Sequence, residues 1–298
     1  MEEKEQQINN YAFWVRAAAF ASSGTALILV VLKFYAWLYT DSSAMLASTT
    51  DSILDLFASL MSIVILKFAL APADEEHRFG HGKAESLAGL VQAAFVLGSA
   101  LLLLFHGVER FITPQAIMHG EVGIWITIIA VILTLGLVFF QRYVIKKTGS
   151  VVISADALHY QSDLLLNIGV LAAIVLSQGI WLQADGVFTI GVSIFLMVGA
   201  GKIIWVSVYH LMDHELSAEE VEQIKTIILA HDKTLGLHEL RTRSSGQQKF
   251  IQFHLELDDR LSLLEAHSAG EAIEDAIIQV FSPCEVFIHH DPTSVVQK

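Results

Sequence analysis

The sequence predicts a multi-pass α-helical membrane protein with six transmembrane helices, followed by a small C-terminal α+β domain of αββαβ order. Three observations predict it. Hydrophobic residues make up 54% of the chain and charged residues only 16%, with a mean hydropathy of +0.55, whereas soluble domains carry about 25% charged residues. Six apolar segments are each long enough to cross a hydrocarbon layer of ~30 Å. Beyond the sixth, polar residues return in patterns typical of a soluble fold, so we expect a membrane domain over residues 1–211 and a second domain over 212–298.

The apolar segments fall at about Ala17–Tyr39, Ala44–Leu70, Ala84–Phe105, Val122–Ile145, Ala155–Leu176 and Ala184–Leu211. Short links make consecutive helices antiparallel neighbours. Basic residues orient the bundle, because Lys and Arg near helix ends favour the cytoplasmic side. Lys67, Arg78, Lys83, Arg142, Lys146 and Lys147 cluster on one side, against Arg110 alone on the other, which predicts cytoplasmic termini. The polar, acidic start, Met1–Asn10, is unlike a cleavable signal peptide. Trp14, Trp37, Trp125, Trp181 and Trp205 fall near segment ends as interfacial anchors, and Lys33, Lys67 and Lys202 are expected to snorkel or to pair locally. His119 and His214, near segment ends, are expected to be solvated.

Ser217-Ala218-Glu219-Glu220 is a capping-box pattern that opens an amphipathic helix to about His231. Strand patterns follow at Gly236–Arg243 and Lys249–Leu257, joined through Ser244-Ser245-Gly246-Gln247 as a hairpin. In the second strand Ile251, Phe253, Leu255 and Leu257 alternate with Gln252, His254 and Glu256, so one face is core and the other polar. A helix over Leu263–Phe281 and a strand over Cys284–His290 complete the order, with the helices on one face of the sheet. The single cysteine, Cys284, excludes an intramolecular disulfide and reads as a buried strand residue.

Two motifs lie inside the apolar segments. Asp51-Ser52-Ile53-Leu54-Asp55 and His159-Tyr160-Gln161-Ser162-Asp163 each carry two metal-competent side chains four residues apart, hence on one helix face. A carboxylate near the bilayer centre costs at least ~2.5 kcal/mol, so such residues mark ion pathways more often than helix–helix contacts. At 1.5 Å per residue Asp51 and Asp55 lie roughly 12 and 18 Å into their helix, and His159 and Asp163 about 6 and 12 Å into theirs from the opposite side. The two pairs therefore converge near mid-membrane as a four-ligand oxygen and imidazole site of a kind that suits Zn²⁺. Because the unperturbed imidazole titrates near pH ~6.5, protons and metal compete there, which is the chemistry of an antiporter.

Two further clusters stand outside the apolar segments. Asp74, His77 and His81 occupy the link after the second segment, where they are either a metal site or part of an exposed acidic loop. His238 and His254 on the two hairpin strands, His267 on the following helix, and His289, His290 and Asp291 near the end form either a metal site, with Asp291 able to bridge two ions, or a set of solvated histidines. From Ser217 to Lys298 there are seven Lys/Arg and fourteen Asp/Glu, an acidity suited to cations.

Some functions are excluded or disfavoured. A formal charge of −13 argues against a nucleic-acid partner. No Gly-x-x-x-x-Gly-Lys-Ser/Thr motif is present to hold a nucleotide. A membrane metalloenzyme needs an open metal position and a general base; here four ligands close the site and His-Glu-x-x-His is lacking, so we expect no enzyme.

These motifs, in this order and over essentially the whole chain, resemble the cation diffusion facilitator family, in particular its bacterial zinc/iron exporters. The resemblance implies a homodimer in the bacterial inner membrane, in contact with lipid, that exchanges cytoplasmic Zn²⁺, or Cd²⁺ or Fe²⁺, for protons by alternating access. It implies that Asp51, Asp55, His159 and Asp163 form the transport site and that Asp74, His77 and His81 form a loop site. His238, His254, His267, His289 and Asp291 would form a binuclear site in a metallochaperone-like (ferredoxin-like) cytoplasmic domain. His290 is expected to point to the opposite strand face. Lys83 and Asp213 match the family's interlocking pair at the membrane–cytoplasm junction of the dimer.

Overall fold

The computed structural model describes residues 2–40, 43–113, 121–176 and 183–296; His119 and Trp181 lie outside them. Six long helices come first: α1 (Glu2–Thr40), α2 (Ser43–Ala69), α3 (Lys83–Ile112), α4 (Glu121–Thr148), α5 (Val151–Leu176) and α6 (Ala184–Leu211). Then follow α7 (Ala218–Leu229), β1 (Gly236–Ser245), β2 (Gln248–Leu257), α8 (Leu263–Phe281) and β3 (Cys284–Pro292). The chain forms two compact units, one of Ala12–Leu70 with Ala84–Val208, the other of Met1–Tyr11, Ala71–Lys83 and Tyr209–Lys298.

The helices run past the apolar segments where the sequence keeps favouring helix. Residues 2–16 contain no Gly or Pro, so α1 starts well before Ala17. α5 starts at Val151, where the Ser150 hydroxyl accepts from the Ile153 N–H as an N-cap. Among the described residues, five of the six helices are long and apolar enough to cross a membrane by length and composition alone. The sixth, α5, spans 26 residues and carries Asp156, His159, Gln161 and Asp163 among its apolar side chains.

Packing inside the helical unit uses small side chains. Ala18, Ala26, Ala100, Ala155, Ala157 and Ala200 are buried, which lets backbones approach closely where burial against lipid-like neighbours gives no hydrophobic gain. Large apolar groups such as Leu54, Phe57, Phe95, Leu102 and Phe139 instead face outward, as a hydrocarbon solvent requires. Trp125 and Trp205 are exposed among them.

In the C-terminal unit the sheet order is β1-β2-β3, with β1 and β2 antiparallel and β2 and β3 parallel. Parallel neighbours need a crossover, and α8 supplies it. Capping boxes open both helices, Ser217 with Glu220 and Ser262 with Glu265. One core gathers Ile224 and Ile228 of α7, Ile251, Phe253 and Leu255 of β2, Ile273 and Ile277 of α8, and the buried Cys284 and Val286 of β3. Strand alternation then leaves His254, Glu256, His289 and Asp291 on the face away from the helices.

Candidate metal centre

Within the helical unit, α2 and α5 bring one side chain from the first motif and two from the second together. His159 Nε2 lies 2.8 Å from Asp55 Oδ1 and 3.7 Å from Asp163 Oδ2. One ligand atom from each of Asp55, His159 and Asp163 falls within 4.8 Å of the others, a compact two-carboxylate, one-imidazole pocket. Asp51, expected as the fourth ligand, stands outside this group and is exposed one turn nearer Ser43. Residues four apart on a helix differ by about 40° and about 6 Å, so the face that delivers Asp55 to α5 does not deliver Asp51 equally.

Two residues not singled out from the sequence set this geometry. Tyr160, 1% exposed, places its hydroxyl 2.9 Å from Ser59 Oγ and donates to the Ser22 carbonyl at 3.2 Å. This ties α5 to α2 and α1, and turns the adjacent His159 toward α2. Asp156, also buried, accepts from Ser22 Oγ at 2.6 Å and from Gln141 Nε2 at 2.8 Å, which fastens α5 to α1 and α4. The signal for Asp156 was present as a second carboxylate, beside Asp163, inside one apolar segment. Lys33 pairs locally rather than reaching an interface: its ammonium donates to Ser52 Oγ at 2.7 Å and to the Ser48 carbonyl at 3.4 Å.

A second group is Asp74, His77 and His81, again with ligand atoms within 4.8 Å. Asp74 Oδ1 accepts from the His77 and Glu76 N–H groups at 2.6 and 3.0 Å, an Asx turn that starts the bend. Gly80, at φ 76°, closes it by donating its N–H to the His77 carbonyl at 2.9 Å, a conformation that favours glycine. The bend stacks His77 and His81 with ring centroids 4.5 Å apart, and Asp74 faces both at 3.3 and 3.4 Å. The backbone bond from His77 holds the Asp74 carboxyl below its ordinary pKa, with Glu76 and the two imidazoles adding to it. His81 is fixed by a 3.2 Å contact from Nδ1 to the Pro72 carbonyl.

The third group lies on the open face of the sheet. Pairing places His238 opposite His254 and His254 opposite His289, so three imidazoles form a row across three strands. Their ring centroids are 4.9 and 4.6 Å apart. Asp291 divides its oxygens among them: Oδ2 lies 2.8 Å from His254 Nδ1 and 3.3 Å from His238 Nε2, and Oδ1 lies 3.1 Å from His289 Nε2. The His254 hydrogen bond, with the imidazoles around it, holds the Asp291 carboxyl below the usual range. Glu256, another residue not singled out, lies 2.9 Å from His238 Nδ1.

Two histidines are placed elsewhere. His267 sits on α8, on the helix side of the sheet, and pairs with Glu271 at 3.4 Å, so within one chain it does not join the row. His290 points to the helix face, as its strand parity requires, and packs on Gly270, where a β-carbon would come 2.5 Å from its Nε2. Lys83 and Asp213 do meet, at 2.9 Å and within a single chain, and Arg243 joins the same carboxylate at 3.2 Å. Burial opposes ionisation of Asp213, but these hydrogen bonds and charges outweigh it and hold its carboxyl below the ordinary range.

Comparison with known proteins adds the family. The description "Cation efflux transmembrane domain" matches residues 19–212, and "Cation efflux protein, cytoplasmic domain" matches residues 216–293. The cation-efflux pump FieF of Shewanella oneidensis is 46% identical over 289 residues, covering 97% of this chain and 98% of that one. The FieF pump of Yersinia pestis (strain Pestoides F) is 44% identical over 288 residues, covering 97% and 96%. Among solved structures, the Zn form of CzrB is 31% identical and covers 29% of this chain and 99% of that one, at a TM-score of 0.28. With both of its parts matched and relatives alike over nearly their whole length, the chain belongs to the cation efflux family of membrane transporters.

Proposed function

We propose that this protein exports divalent metal cations, Zn²⁺ foremost with Cd²⁺ and Fe²⁺ as alternatives, from the cytoplasm across a bacterial inner membrane in exchange for protons. The observation that carries this reading is the Asp55–His159–Asp163 pocket between two membrane-length helices. Two carboxylates and an imidazole offer a borderline donor set, softer than an all-oxygen cage and weaker than thiolates, so the ion is both selected and released. Asp51, one turn along α2, is the fourth ligand that a small rotation or slide of that helix brings in as the ion loads. Rocking of α2 against α5 breaks and remakes the set, which gives alternating access.

The proton arm follows from the same residues. A metal-bound imidazole must be neutral at the ligating nitrogen, and a ligating carboxylate must be ionised. Once the ion has left, His159 is free to take up a proton, and the Asp55 carboxylate at 2.8 Å accepts the resulting hydrogen bond. The cation thereby leaves on one side in exchange for a proton carried back.

The lysine and arginine distribution supports cytoplasmic termini, and relatives described as having a cytoplasmic domain support the same orientation for the acidic C-terminal unit. We take the functional unit to be a homodimer, with the Asp291 row as a binuclear regulatory site and Asp74, His77 and His81 as a loop site. The reading as a transporter rather than an enzyme rests on Asp51 closing the pocket as a fourth protein ligand when the ion loads, which leaves no open metal position for a water. The test is zinc-dependent proton flux in proteoliposomes under an imposed pH gradient. Asp163→Ala is expected to abolish both fluxes while the protein still elutes as a folded dimer; zinc flux at the wild-type rate in that variant would sink the assignment.

A further inference from the structure

Lys33 is a cationic side chain in the long apolar helix α1, and it is turned inward. A lysine seven residues from the end of α1 at Thr40 is within reach of the interface by snorkelling, which is the low-cost solution for an ammonium in a bilayer. Instead its Nζ sits on α2, bonded to Ser52 Oγ at 2.7 Å and to the Ser48 carbonyl at 3.4 Å. Ser52 is 1% exposed. It lies one residue after Asp51 and three before Asp55, so it shares the helix face of Asp55. The bonds Lys33 makes therefore go to neutral groups, and such groups do not offset the cost of holding an ammonium away from water. The field of three carboxylates, Asp163, Asp55 and Asp51, attracts the Lys33 charge and offsets part of that cost.

The geometry points to Lys33 as a tethered counter-cation of the transport site, which lowers the site's affinity for a divalent ion and thereby hastens its release. This rests on the reading of Asp55, His159 and Asp163 as that site. Three ionised carboxylates, one ammonium and one divalent ion sum to zero, so the loaded pocket is neutral only with Lys33 present. Without it the loaded pocket keeps a net negative charge in a low-dielectric setting and holds its ion more tightly. With the ion gone, the ammonium remains beside the site and compensates part of the carboxylate charge. Lys33 is thus a positioning charge rather than a ligand, held off the metal pocket by the two bonds to α2.

The test is a split between KM and maximal rate for zinc transport by the full-length protein in proteoliposomes. Lys33→Met removes the charge, and Lys33→Gln removes the charge while keeping a donor for Ser52. Both are expected to lower the zinc KM by about tenfold or more, the scale of losing one unit charge near a dication at an effective dielectric constant of about 20. Both are also expected to lower the maximal rate, because release slows. Lys33→Arg restores KM and rate toward wild type. A merely structural role for Lys33 predicts a raised KM, or a reduced rate at unchanged KM, and correction by Gln; an unchanged or raised KM in Lys33→Gln overturns the inference. Asp55→Asn in the same vesicles separates the two claims. Wild-type transport by Asp55→Asn would remove the site itself, whereas loss there together with an unaltered KM in Lys33→Gln removes only the role given to Lys33.

Discussion

At the residue scale, Asp291 is the side chain on which a whole cluster converges. One oxygen serves His238 and His254, and the other serves His289. Its carboxyl titrates below the ordinary value, held down by the His254 hydrogen bond and the neighbouring imidazoles. A depressed carboxyl contributes stability that is fully present above its unfolded pKa of ~3.9 and is lost as pH falls through the lower native value. In chelator-treated protein, Asp291→Asn is therefore expected to cost about 1–2 kcal/mol at pH ~6. The gap to wild type should close as the pH drops below ~4. Hydrogen exchange of the β2 and β3 amides in the full-length protein reads this directly. A gap that persisted unchanged in acid would show that Asp291 acts by shape rather than charge.

At the scale of elements, what was legible in the sequence is what a single helix or strand decides by its own period. The spacing of His159 and Asp163 put both on one face of α5, and the alternation of Ile251, Phe253 and Leu255 with His254 gave the two faces of β2. The row His238–His254–His289 needed only strand parity and pairing. What was not legible depends on how one element meets another. Asp51 and Asp55 are equivalent by spacing, and only the rotation of α2 against α5 separates them. The placement of His267 on the opposite side of the sheet from the row follows from the crossover of α8, which no local pattern encodes. Tyr160 and Asp156 read as an aromatic and a stray carboxylate until α1, α2 and α4 surround them. Tyr160→Phe tests this inter-helix term: the ring stays and the bonds toward Ser59 and Ser22 go. Membrane hydrogen bonds average about 0.6 kcal/mol, so a loss of about 1–2 kcal/mol in thermal stability is expected. Because the neighbouring His159 loses its anchor, zinc transport should fall further than so small a destabilisation explains. Transport at the wild-type rate in Tyr160→Phe would mean that α5 is oriented by packing alone.

At the scale of the whole molecule, the link between α2 and α3 is part of the C-terminal unit. Arg243 of β1 lies over the rings of Phe79 and Phe250, 5.0 and 4.4 Å from their centroids, and also donates to Asp213 at 3.2 Å. Lys83, the first residue of α3, donates to the same Asp213 carboxylate at 2.9 Å. Phe79 sits between His77 and His81, so the clamp that fixes it also fixes the bend holding the loop cluster. Three stretches distant in sequence thus share one guanidinium, so any metal bound by the loop cluster would be coupled to the packing of the C-terminal sheet. Arg243→Ala should loosen residues 71–83 while Lys83–Asp213 persists. A cation–π contact plus a partly exposed ion pair is worth about 1 kcal/mol, which is about a fivefold rise in amide exchange across that segment. Salt separates the two parts of the clamp. Screening at ~1 M weakens the pairing to Asp213 but leaves the aromatic packing, so wild-type exchange should rise only part of the way to that of the variant. Zinc added to the wild type should slow exchange in the segment and should slow it less in Arg243→Ala, because ion and clamp stabilise the same bend. Equal protection by zinc in both proteins would separate the loop cluster from the sheet and leave the link a passive connection.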